Sequence, residues 1–143
     1  MKITIVSFQR QGSTDCDEAI ADYVRRLQAH VELELHQIRK WSDDTGVPAK
    51  LLERSRVIGL YIEGKSFSSE GLAQRLQQLM NGGHSSLVFV IGAADGMPRL
   101  AAQQVQERWS LSSLTFPHQV TRLLVVEALY RSFDILHGGK YHK

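Results

Sequence analysis

The sequence contains a single cysteine, Cys16, among its 143 residues. One cysteine excludes an internal disulfide and favours a protein of a reducing compartment. Because Cys16 falls on the apolar face of a predicted helix, we interpret it as a core residue rather than a nucleophile. No apolar run approaches the ~20 residues of a transmembrane helix. The chain also lacks a signal peptide pattern, since Met1 and Lys2 lead directly into a strand pattern. We therefore expect a cytoplasmic protein with no membrane partner.

The common nucleotide-binding fingerprints are also missing. The first predicted strand, residues 2–8, leads into a predicted loop over residues 9–13 that has no G-x-G-x-x-G pattern. The second strand ends at Ile38-Arg39-Lys40, without an acid for a ribose, and no P-loop pattern occurs. These absences disfavour a Rossmann-type dehydrogenase and a Rossmann methyltransferase. We see no metal-ligand set, no Cys-His pair and no carboxylate dyad, so we expect no metal.

What the sequence does have is the composition of an ordinary globular chain, with 43% hydrophobic and 22% charged residues. Its length predicts one domain over residues 1–143. Strand patterns alternate with helix patterns, which predicts an α/β fold, a mostly parallel sheet flanked by helices. The predicted strands are residues 2–8, 31–36, 57–62, 87–91 and 111–114.

Several local signals refine this prediction. Residues 31–36 alternate between apolar and polar, which indicates a strand with one wet face near a sheet edge, whereas residues 57–62 are continuously apolar and indicate a central strand. Asp15 and Glu18 have the spacing of a capping box at the start of the first helix. Ser68 is predicted to cap a later helix that stops at Gly82. Further helices are predicted over residues 48–54 and from Pro98.

The last helix is unusually apolar. It is predicted to start at Pro117 and to end before Gly138 and Gly139. Apolar residues occupy more than one helical stripe, and a helix that is apolar nearly all round is buried on several sides. In so short a chain, we expect a second subunit to supply part of that cover, which predicts a homodimer.

Three strand ends carry similar loops, over residues 60–65, 91–96 and 111–116. Ligands of parallel sheets bind beyond the carboxyl ends of the strands. These loops offer main-chain groups beside small or apolar side chains, which suits a ligand such as an adenine ring. Plain tight turns explain the same composition equally well.

Basic residues outnumber acidic ones after Pro117. Arg122, Arg131, Lys140 and Lys143 lie there, together with His118, His137 and His142, against only Glu127 and Asp134. Cations near a helix C-terminus explain part of this pattern. A surface that binds RNA phosphates explains it equally well.

The second half of the chain contains an ordered set of motifs that resembles a known family. The motifs are Gly64-Lys65, Ser-Ser-Glu-Gly-Leu-Ala from Ser68, Ile-Gly-Ala-Ala-Asp-Gly from Ile91, Leu-Ser-Ser-Leu-Thr-Phe-Pro-His from Leu111, Arg122, Glu-Ala-Leu-Tyr-Arg from Glu127, and the terminal Tyr-His-Lys. Together they resemble the ribosomal RNA large subunit methyltransferase H (RlmH) family of small SPOUT-class methyltransferases. The resemblance is strong from Val57 onward and weaker before it.

The resemblance implies a fold, a cofactor and a substrate. It implies a C-terminal trefoil knot, which is a rare exception among folds, and a homodimer. S-adenosylmethionine would bind in the knot, and the substrate would be N3 of a pseudouridine in helix 69 of 23S rRNA on the assembled ribosome. The cofactor-binding residues that it implies are Leu60, Gly92, Leu111, Ser112, Ser113, Leu114, Thr115 and Phe116.

The resemblance also implies roles for the final helix and the tail. His142, with Tyr141, is the candidate for substrate contact or for handling the N3 proton, acting across the dimer. The candidate RNA-binding residues are His118, Arg122, Arg131, Lys140 and Lys143. We expect Glu127 to pair with Arg131, which lies four residues along the helix.

Some residues depart from the family pattern. Ala93 stands where a second glycine is usual, the first strand leads into Phe8-Gln9-Arg10 rather than Val-Gly-Lys, and Lys140 replaces a small residue or proline. Three hypotheses therefore remain open. The chain methylates the large-subunit pseudouridine, methylates another RNA, or is a non-catalytic RNA- or ribosome-binding dimer.

Overall fold

A computed structural model describes residues 1–12 and 14–143 of the chain. Ser13, which falls in the loop predicted after the first strand, lies outside the described residues. Five strands form one all-parallel sheet in the order β2-β1-β4-β3-β5. The elements in chain order are β1 (Lys2–Phe8), α1 (Asp17–Leu27), β2 (Glu32–Ile38), α2 (Ala49–Leu52), β3 (Ser55–Ser66), α3 (Ser69–Asn81), β4 (Ser86–Ile91), α4 (Arg99–Gln104), β5 (Glu107–Ser110) and α5 (His118–Leu136). The predicted α/β class is confirmed.

The sheet is buried on both faces. Along β1, Ile3 and Ile5 belong to one buried cluster, whereas Val6 and Phe8 belong to a second. Successive side chains of a strand point to opposite faces, so the two clusters cover opposite sides of the sheet. Burial on both faces is typical of parallel sheets whose helices lie on each side, and it explains the continuous apolar run of β4.

The predicted edge strand is confirmed, because β2 lies at one end of the sheet. Its Glu32 and Glu34 are exposed and Leu33 is buried. Leu35, which the alternation placed on the dry face with Leu33, is 41% exposed. It lies near the end of β2 beside a shallow depression lined also by Arg122, so the dry face of β2 is incomplete at that end.

The predicted capping box at α1 is wrong. Cys16 occupies the N-cap position without a side-chain cap bond. Thr14 instead donates to the Asp17 carboxylate from its backbone nitrogen at 3.0 Å and from its hydroxyl at 2.7 Å. Asp17 therefore stabilises the start of the helix from inside its first turn. Cys16 is half-buried and packs against the main core.

The predicted strand over residues 111–114 is also wrong, because β5 lies earlier, at Glu107–Ser110. Trp109 and Ser110 are buried. Glu107 is anchored by Arg75, which donates from Nε at 2.8 Å, and by the Trp109 indole at 2.7 Å. Leu111 and Leu114 are 37% and 67% exposed. Side-chain anchoring, which an apolar pattern does not reveal, therefore decides where the strand lies.

The boundaries of α3, α4 and α5 agree with the predictions to within about one residue, whereas the helix predicted over residues 48–54 is shorter, at Ala49–Leu52. Ser68 caps α3 by accepting a hydrogen bond from the Gly71 backbone at 3.0 Å, and Gly82 ends the helix. Pro98 directly precedes α4, and Pro117 directly precedes α5. None of the described helices has the length and apolarity needed to cross a membrane.

Helix α5 packs against α1 and α3 on one side of the sheet. Its fully buried residues are Val125, Val126, Leu129, Ser132 and Phe133. The apolar residues around them, including Val120, Leu124 and Ile135, are only half-buried. The helix is followed by Gly138, whose positive φ of 70° suits the turn that starts the C-terminal tail.

Candidate active site

A cavity of about 780 Å³ lies at the carboxyl edge of the sheet. Its volume falls within the ~300–1,000 Å³ that is typical of small-molecule sites. Its walls come from the end of β3, the loop after β4, the segment after β5 and the first turn of α5. The lining residues are Leu60, Tyr61, Ile62, Glu63, Ile91, Gly92, Ala93, Ala94, Gly96, Met97, Leu111, Ser112, Leu114, Thr115, Phe116, Pro117, His118 and Thr121.

The first wall is an arch in β3, which we define as residues 61–64. Leu60 and Lys65 both pair with Trp109 of β5, so the four residues between them leave the ladder. Gly64 closes the arch against β5: a β carbon on it would lie 2.6 Å from the Trp109 carbonyl carbon. Only glycine lets the two backbones approach this closely. The strand predicted to end at residue 62 therefore bulges over residues 61–64 and pairs with β5 again from Lys65.

The second wall is a tight turn after β4. Ala93 and Gly96 exchange backbone hydrogen bonds of 3.0 and 2.9 Å. Gly96 has a φ of 120°, a conformation that favours glycine. A β carbon on Gly92 would lie 3.1 Å from the Met97 backbone nitrogen and Cα. The turn therefore presents main-chain groups to the cavity with little room for added side chains.

The third wall is the segment from Leu111 to Pro117. The Ser110 hydroxyl donates to the Ser112 carbonyl at 3.0 Å, and the Ser112 hydroxyl accepts the Leu114 backbone N–H at 3.0 Å. These bonds hold an irregular segment in place without strand pairing. Of the eight residues predicted to hold a cofactor, only Ser113 does not line the cavity.

Two polar side chains of the cavity have no hydrogen-bond partner among the described residues. They are the Tyr61 hydroxyl and both ring nitrogens of His118, and all three atoms are buried. Burial raises the pKa of Tyr61. Burial first, and then the Arg122 cation, lower the pKa of His118, with the Gly92 carbonyl acting weakly in the opposite direction. Both side chains are therefore neutral near pH 7, and their buried polar atoms have room for partners from water or from a bound ligand.

The C-terminal tail, residues 140–143, does not line this cavity within its own chain. The Arg131 guanidinium donates to His142 Nδ1 at 2.9 Å, and His142 Nε2 lies 2.8 Å from a Glu70 carboxylate oxygen. Since Arg131 can only donate, Nδ1 accepts and Nε2 donates to Glu70. Hydrogen bonding to His142 lowers the pKa of Glu70.

Tyr141 is held by a second set of contacts. Its hydroxyl lies 2.8 Å from the Tyr23 hydroxyl and donates to Glu127 at 3.3 Å, while its backbone N–H donates to Asp134 at 3.0 Å. Burial, followed by the bond to Tyr23, raises the pKa of Tyr141. Glu127 also accepts from Arg131 at 2.9 Å, so the expected pair is present.

The predicted RNA-binding residues do not form one surface. His118 lines the cavity. Arg122 lies 3.9 Å from Asp17, on the side of α5 that faces α1. Arg131 is engaged by Glu127 and His142. Lys140 and Lys143 are exposed on the tail.

Sequence reasoning missed Tyr61, Glu63, Met97 and Thr121, which also line the cavity. A signal for Tyr61 was present in the sequence. Residues 60–65 were predicted to form a loop at a strand end that could contact a ligand, and Tyr61 is the aromatic residue of that loop. Among the described residues, no group of three or more His, Cys, Asp or Glu side chains has the geometry of a metal site.

Comparison with known families agrees with this geometry. The family model described as "Predicted SPOUT methyltransferase" matches residues 1–142. Members of this family generally use S-adenosylmethionine. The match covers the β-strands, the cavity and the tail as far as His142, so the chain is a methyltransferase that belongs to the SPOUT family.

Proposed function

We propose that the chain uses S-adenosylmethionine to methylate N3 of a pseudouridine in helix 69 of 23S rRNA, on the assembled ribosome in the cytoplasm. The observation that carries the proposal is the cavity. Its three walls are the arch, the turn after β4 and the segment from Leu111, and each contains a motif that resembles the large-subunit methyltransferase H family.

The cavity fits S-adenosylmethionine in size and in chemistry. Apolar side chains such as Leu60, Leu114 and Phe116 suit an adenine ring, and the main chain around Gly92 offers hydrogen bonds to the ring edge. The unpartnered Tyr61 hydroxyl and His118 imidazole need polar partners, which the ribose and amino acid portions of such a ligand contain. We assign Leu60, Gly92 and residues 111–116 to cofactor binding, and add Tyr61 and His118.

S-adenosylmethionine supplies an activated methyl group on a sulfonium. What remains for the protein is to orient the reactants and to exclude water. The turn closed by Ala93 and Gly96 fixes the position of Gly92. Exposed wall residues such as Leu114 leave the exclusion of water to the bound ligand, the RNA and the partner subunit. The nucleobase N3 must lose a proton, and we assign contact with that site to His142 and Tyr141.

This assignment requires a homodimer, because His142 and Tyr141 are bonded to α1, α3 and α5 of their own chain and do not line their own cavity. We propose that each tail serves the cavity of the other subunit. The half-buried apolar residues that surround the core stripe of α5 support such a partner. A trefoil knot formed by the segments around the cavity belongs to the same proposal.

Two alternative functions are each supported by a separate observation. Residues 1–56 resemble the family weakly, which favours a SPOUT-class RNA methyltransferase with a different RNA target. Ala93 adds a methyl group to a cavity wall where glycine is usual, which favours a non-catalytic dimer that binds RNA or the ribosome.

The test is transfer of a labelled methyl group from S-adenosylmethionine to ribosomes that lack this modification, with free large-subunit RNA in parallel. We expect transfer to the ribosome, at the helix 69 pseudouridine, with little transfer to free RNA. Cofactor binding without transfer would favour another RNA target. Absence of cofactor binding would favour the non-catalytic dimer.

A further inference from the structure

Three exposed cations occupy the two loops beside the cavity, and we call them the basic rim: Arg10, Arg39 and Lys40. Arg10 follows β1 by two residues, and Arg39 directly follows β2. Because all strands are parallel, these loops emerge at the same edge of the sheet as the cavity. Strand β1 pairs with β4, so its loop lies one strand spacing, about 5 Å, from the loop that contains Gly92.

The guanidinium of Arg10 is held in a defined place. It lies 4.3 Å from the centre of the Trp41 ring, which in turn contacts Phe8 edge-on at 5.8 Å between ring centres. Stacking on an aromatic face leaves the N–H groups of an arginine free to bond an anion. Arg10 therefore offers an ordered cation rather than a freely rotating one.

The loop after β1 is itself fixed to β2. The Gln37 side-chain amide donates to the Gln9 carbonyl at 2.8 Å and to the Gln11 carbonyl at 2.7 Å. The Arg39 guanidinium lies against Gly12, in the space that a β carbon would occupy. The two loops thus meet, and they bring Arg10 and Arg39 to one surface.

Asp43 and Asp44, the acids that follow Lys40 in the same loop, both contact Arg99. Asp43 accepts from the Arg99 backbone at 3.4 Å, and Asp44 pairs with the Arg99 guanidinium at 3.0 Å. Among the described residues, no carboxylate lies within ion-pair distance of Arg10, Arg39 or Lys40. Exposed cations without ion pairs keep their full charge for an external partner.

We infer that the basic rim binds the phosphodiester backbone of the RNA beside the nucleotide that enters the cavity. This inference rests on the proposed function, since it needs an RNA substrate. A nucleotide whose base reaches the cavity would carry its neighbouring phosphates across the loops after β4, β1 and β2. Cations there fix the register of the RNA without reading its sequence.

The test replaces Arg10, Arg39 and Lys40 together by glutamine. The matched control replaces Arg25, Lys50 and Arg54 by glutamine, which are exposed cations outside the two loops. Both variants change the formal net charge from +2 to −1, since each removes three positive charges. The equal change separates a local contact from a general electrostatic effect.

The probe is purified ribosomes lacking the modification, and the readout is the dissociation constant over a series of KCl concentrations. Each lost phosphate contact reduces the slope of log affinity against log salt by roughly 0.7–0.9. We expect the rim variant to lose about two units of slope and to bind on the order of tenfold more weakly than the control. Its affinity for S-adenosylmethionine, measured by calorimetry, should equal that of the wild type.

The outcomes separate this inference from the proposed function. If the wild type binds and methylates ribosomes but the rim variant matches the control in affinity and slope, the inference is wrong and the proposed function stands. If the wild type binds S-adenosylmethionine but neither binds nor methylates ribosomes, the ribosomal substrate is wrong and the rim has no RNA there to contact.

Discussion

The cavity and the C-terminal tail use polar groups in opposite ways. In the cavity, the Tyr61 hydroxyl and the His118 nitrogens are buried without partners among the described residues. In the tail, Tyr141 and His142 use their polar atoms in bonds to Tyr23, Glu127, Arg131, Asp134 and Glu70. Unsatisfied buried polar groups destabilise a fold, whereas a satisfied network contributes to it.

The contrast separates a region whose buried polar atoms lack partners within the chain from a region whose polar atoms are already bonded. The cavity needs polar atoms from outside the chain, in agreement with a cofactor site. The tail is ordered before any substrate arrives, and its His142 lone pair at Nδ1 is occupied by Arg131. His142 can take a proton at Nδ1 only if the hydrogen bond from Arg131 is broken. An RNA phosphate that binds Arg131 would break it.

Deleting residues 141–143 is expected to give the largest effect. If the tail supplies the groups that contact N3, methyl transfer should fall on the order of a thousandfold, within the range of general acid–base contributions. Affinity for S-adenosylmethionine should stay within about twofold, because we assign cofactor binding to Leu60, Gly92 and residues 111–116 and only the nucleobase contact to the tail. Labelled transfer and calorimetry measure the two quantities.

Two further variants control that deletion. Lys143→Gln removes an exposed cation predicted to bind RNA, so it should weaken ribosome binding and leave the transfer rate at saturating ribosome concentration at the wild-type level. Tyr141→Phe keeps the aromatic packing against Tyr23 and Tyr130 and removes only the hydroxyl. A truncated protein that methylates at the wild-type rate would show that the tail has no part in the reaction.

The variant Gly92→Val should abolish most cofactor binding while the protein stays folded. Its β carbon would lie 3.1 Å from the Met97 backbone, so the turn that forms this cavity wall would have to shift. We expect S-adenosylmethionine affinity to fall about a hundredfold, which corresponds to ~2.7 kcal/mol. Calorimetry measures the affinity, and thermal unfolding shows whether the variant is folded.

Ala93→Gly is the matched control, because it removes a methyl group from the adjacent residue of the same turn, whereas Gly92→Val adds side-chain atoms. Its affinity should stay within about threefold of the wild type. Unchanged cofactor affinity in Gly92→Val would place the cofactor elsewhere. A large gain in Ala93→Gly would support the non-catalytic alternative, in which the Ala93 methyl obstructs the site.

Glu107→Gln should affect stability and leave cofactor affinity unchanged. Hydrogen bonds from Arg75 in the first place, and from Trp109 and Arg56, lower the pKa of Glu107 to about 2. A lowered pKa in the folded state stabilises the fold above the unfolded pKa of 4.5, and this contribution is lost as the pH falls from 4.5 to 2. It amounts to about 3 kcal/mol in the wild type.

The measurement is the free energy of unfolding by denaturant between pH 7 and pH 2. The variant should be about 2 kcal/mol less stable at pH 7 and should lack this part of the pH dependence. Glu53→Gln, at an exposed position, is the control. An identical pH profile in wild type and Glu107→Gln would mean that the carboxylate does not support the fold.

His118→Ala should have the smallest effect on the cavity. If His118 bonds the cofactor, its loss should weaken S-adenosylmethionine binding about tenfold, a typical cost for one hydrogen bond. His137→Ala, at an exposed histidine beyond the same helix, is the control. Tighter binding in His118→Ala would show that the ring obstructs the ligand instead of contacting it.

The parts of the fold that depend on apolar periodicity and caps could be predicted from the sequence. The edge position of β2, the Ser68 cap of α3 and the start of α5 at Pro117 all follow from local patterns. Local patterns failed where a distant side chain decides the outcome. The position of β5 depends on Arg75, which lies 32 residues from Glu107 in sequence.

The cavity could be predicted in outline, because the ends of parallel strands meet at one edge and the motifs lie at those ends. Its polar character could not. The Tyr61 ring packs over Gly59 and beside Val105, contacts that local patterns do not reveal. No periodicity signals the bulge at residues 61–64, whose two ends pair with the same Trp109. The tail contacts likewise depend on residues from α1, α3 and α5 that the sequence separates widely.

The arch has a consequence for how the protein exchanges amide hydrogens with solvent. Amides of β1 and β4 are bonded within a sheet that is buried on both faces, and they open only with large parts of the fold. Residues 61–64 have no partner across the ladder, so their amides exchange through small local fluctuations. Binding of a ligand against this wall would then slow amide hydrogen exchange at residues 61–64, four consecutive positions of β3.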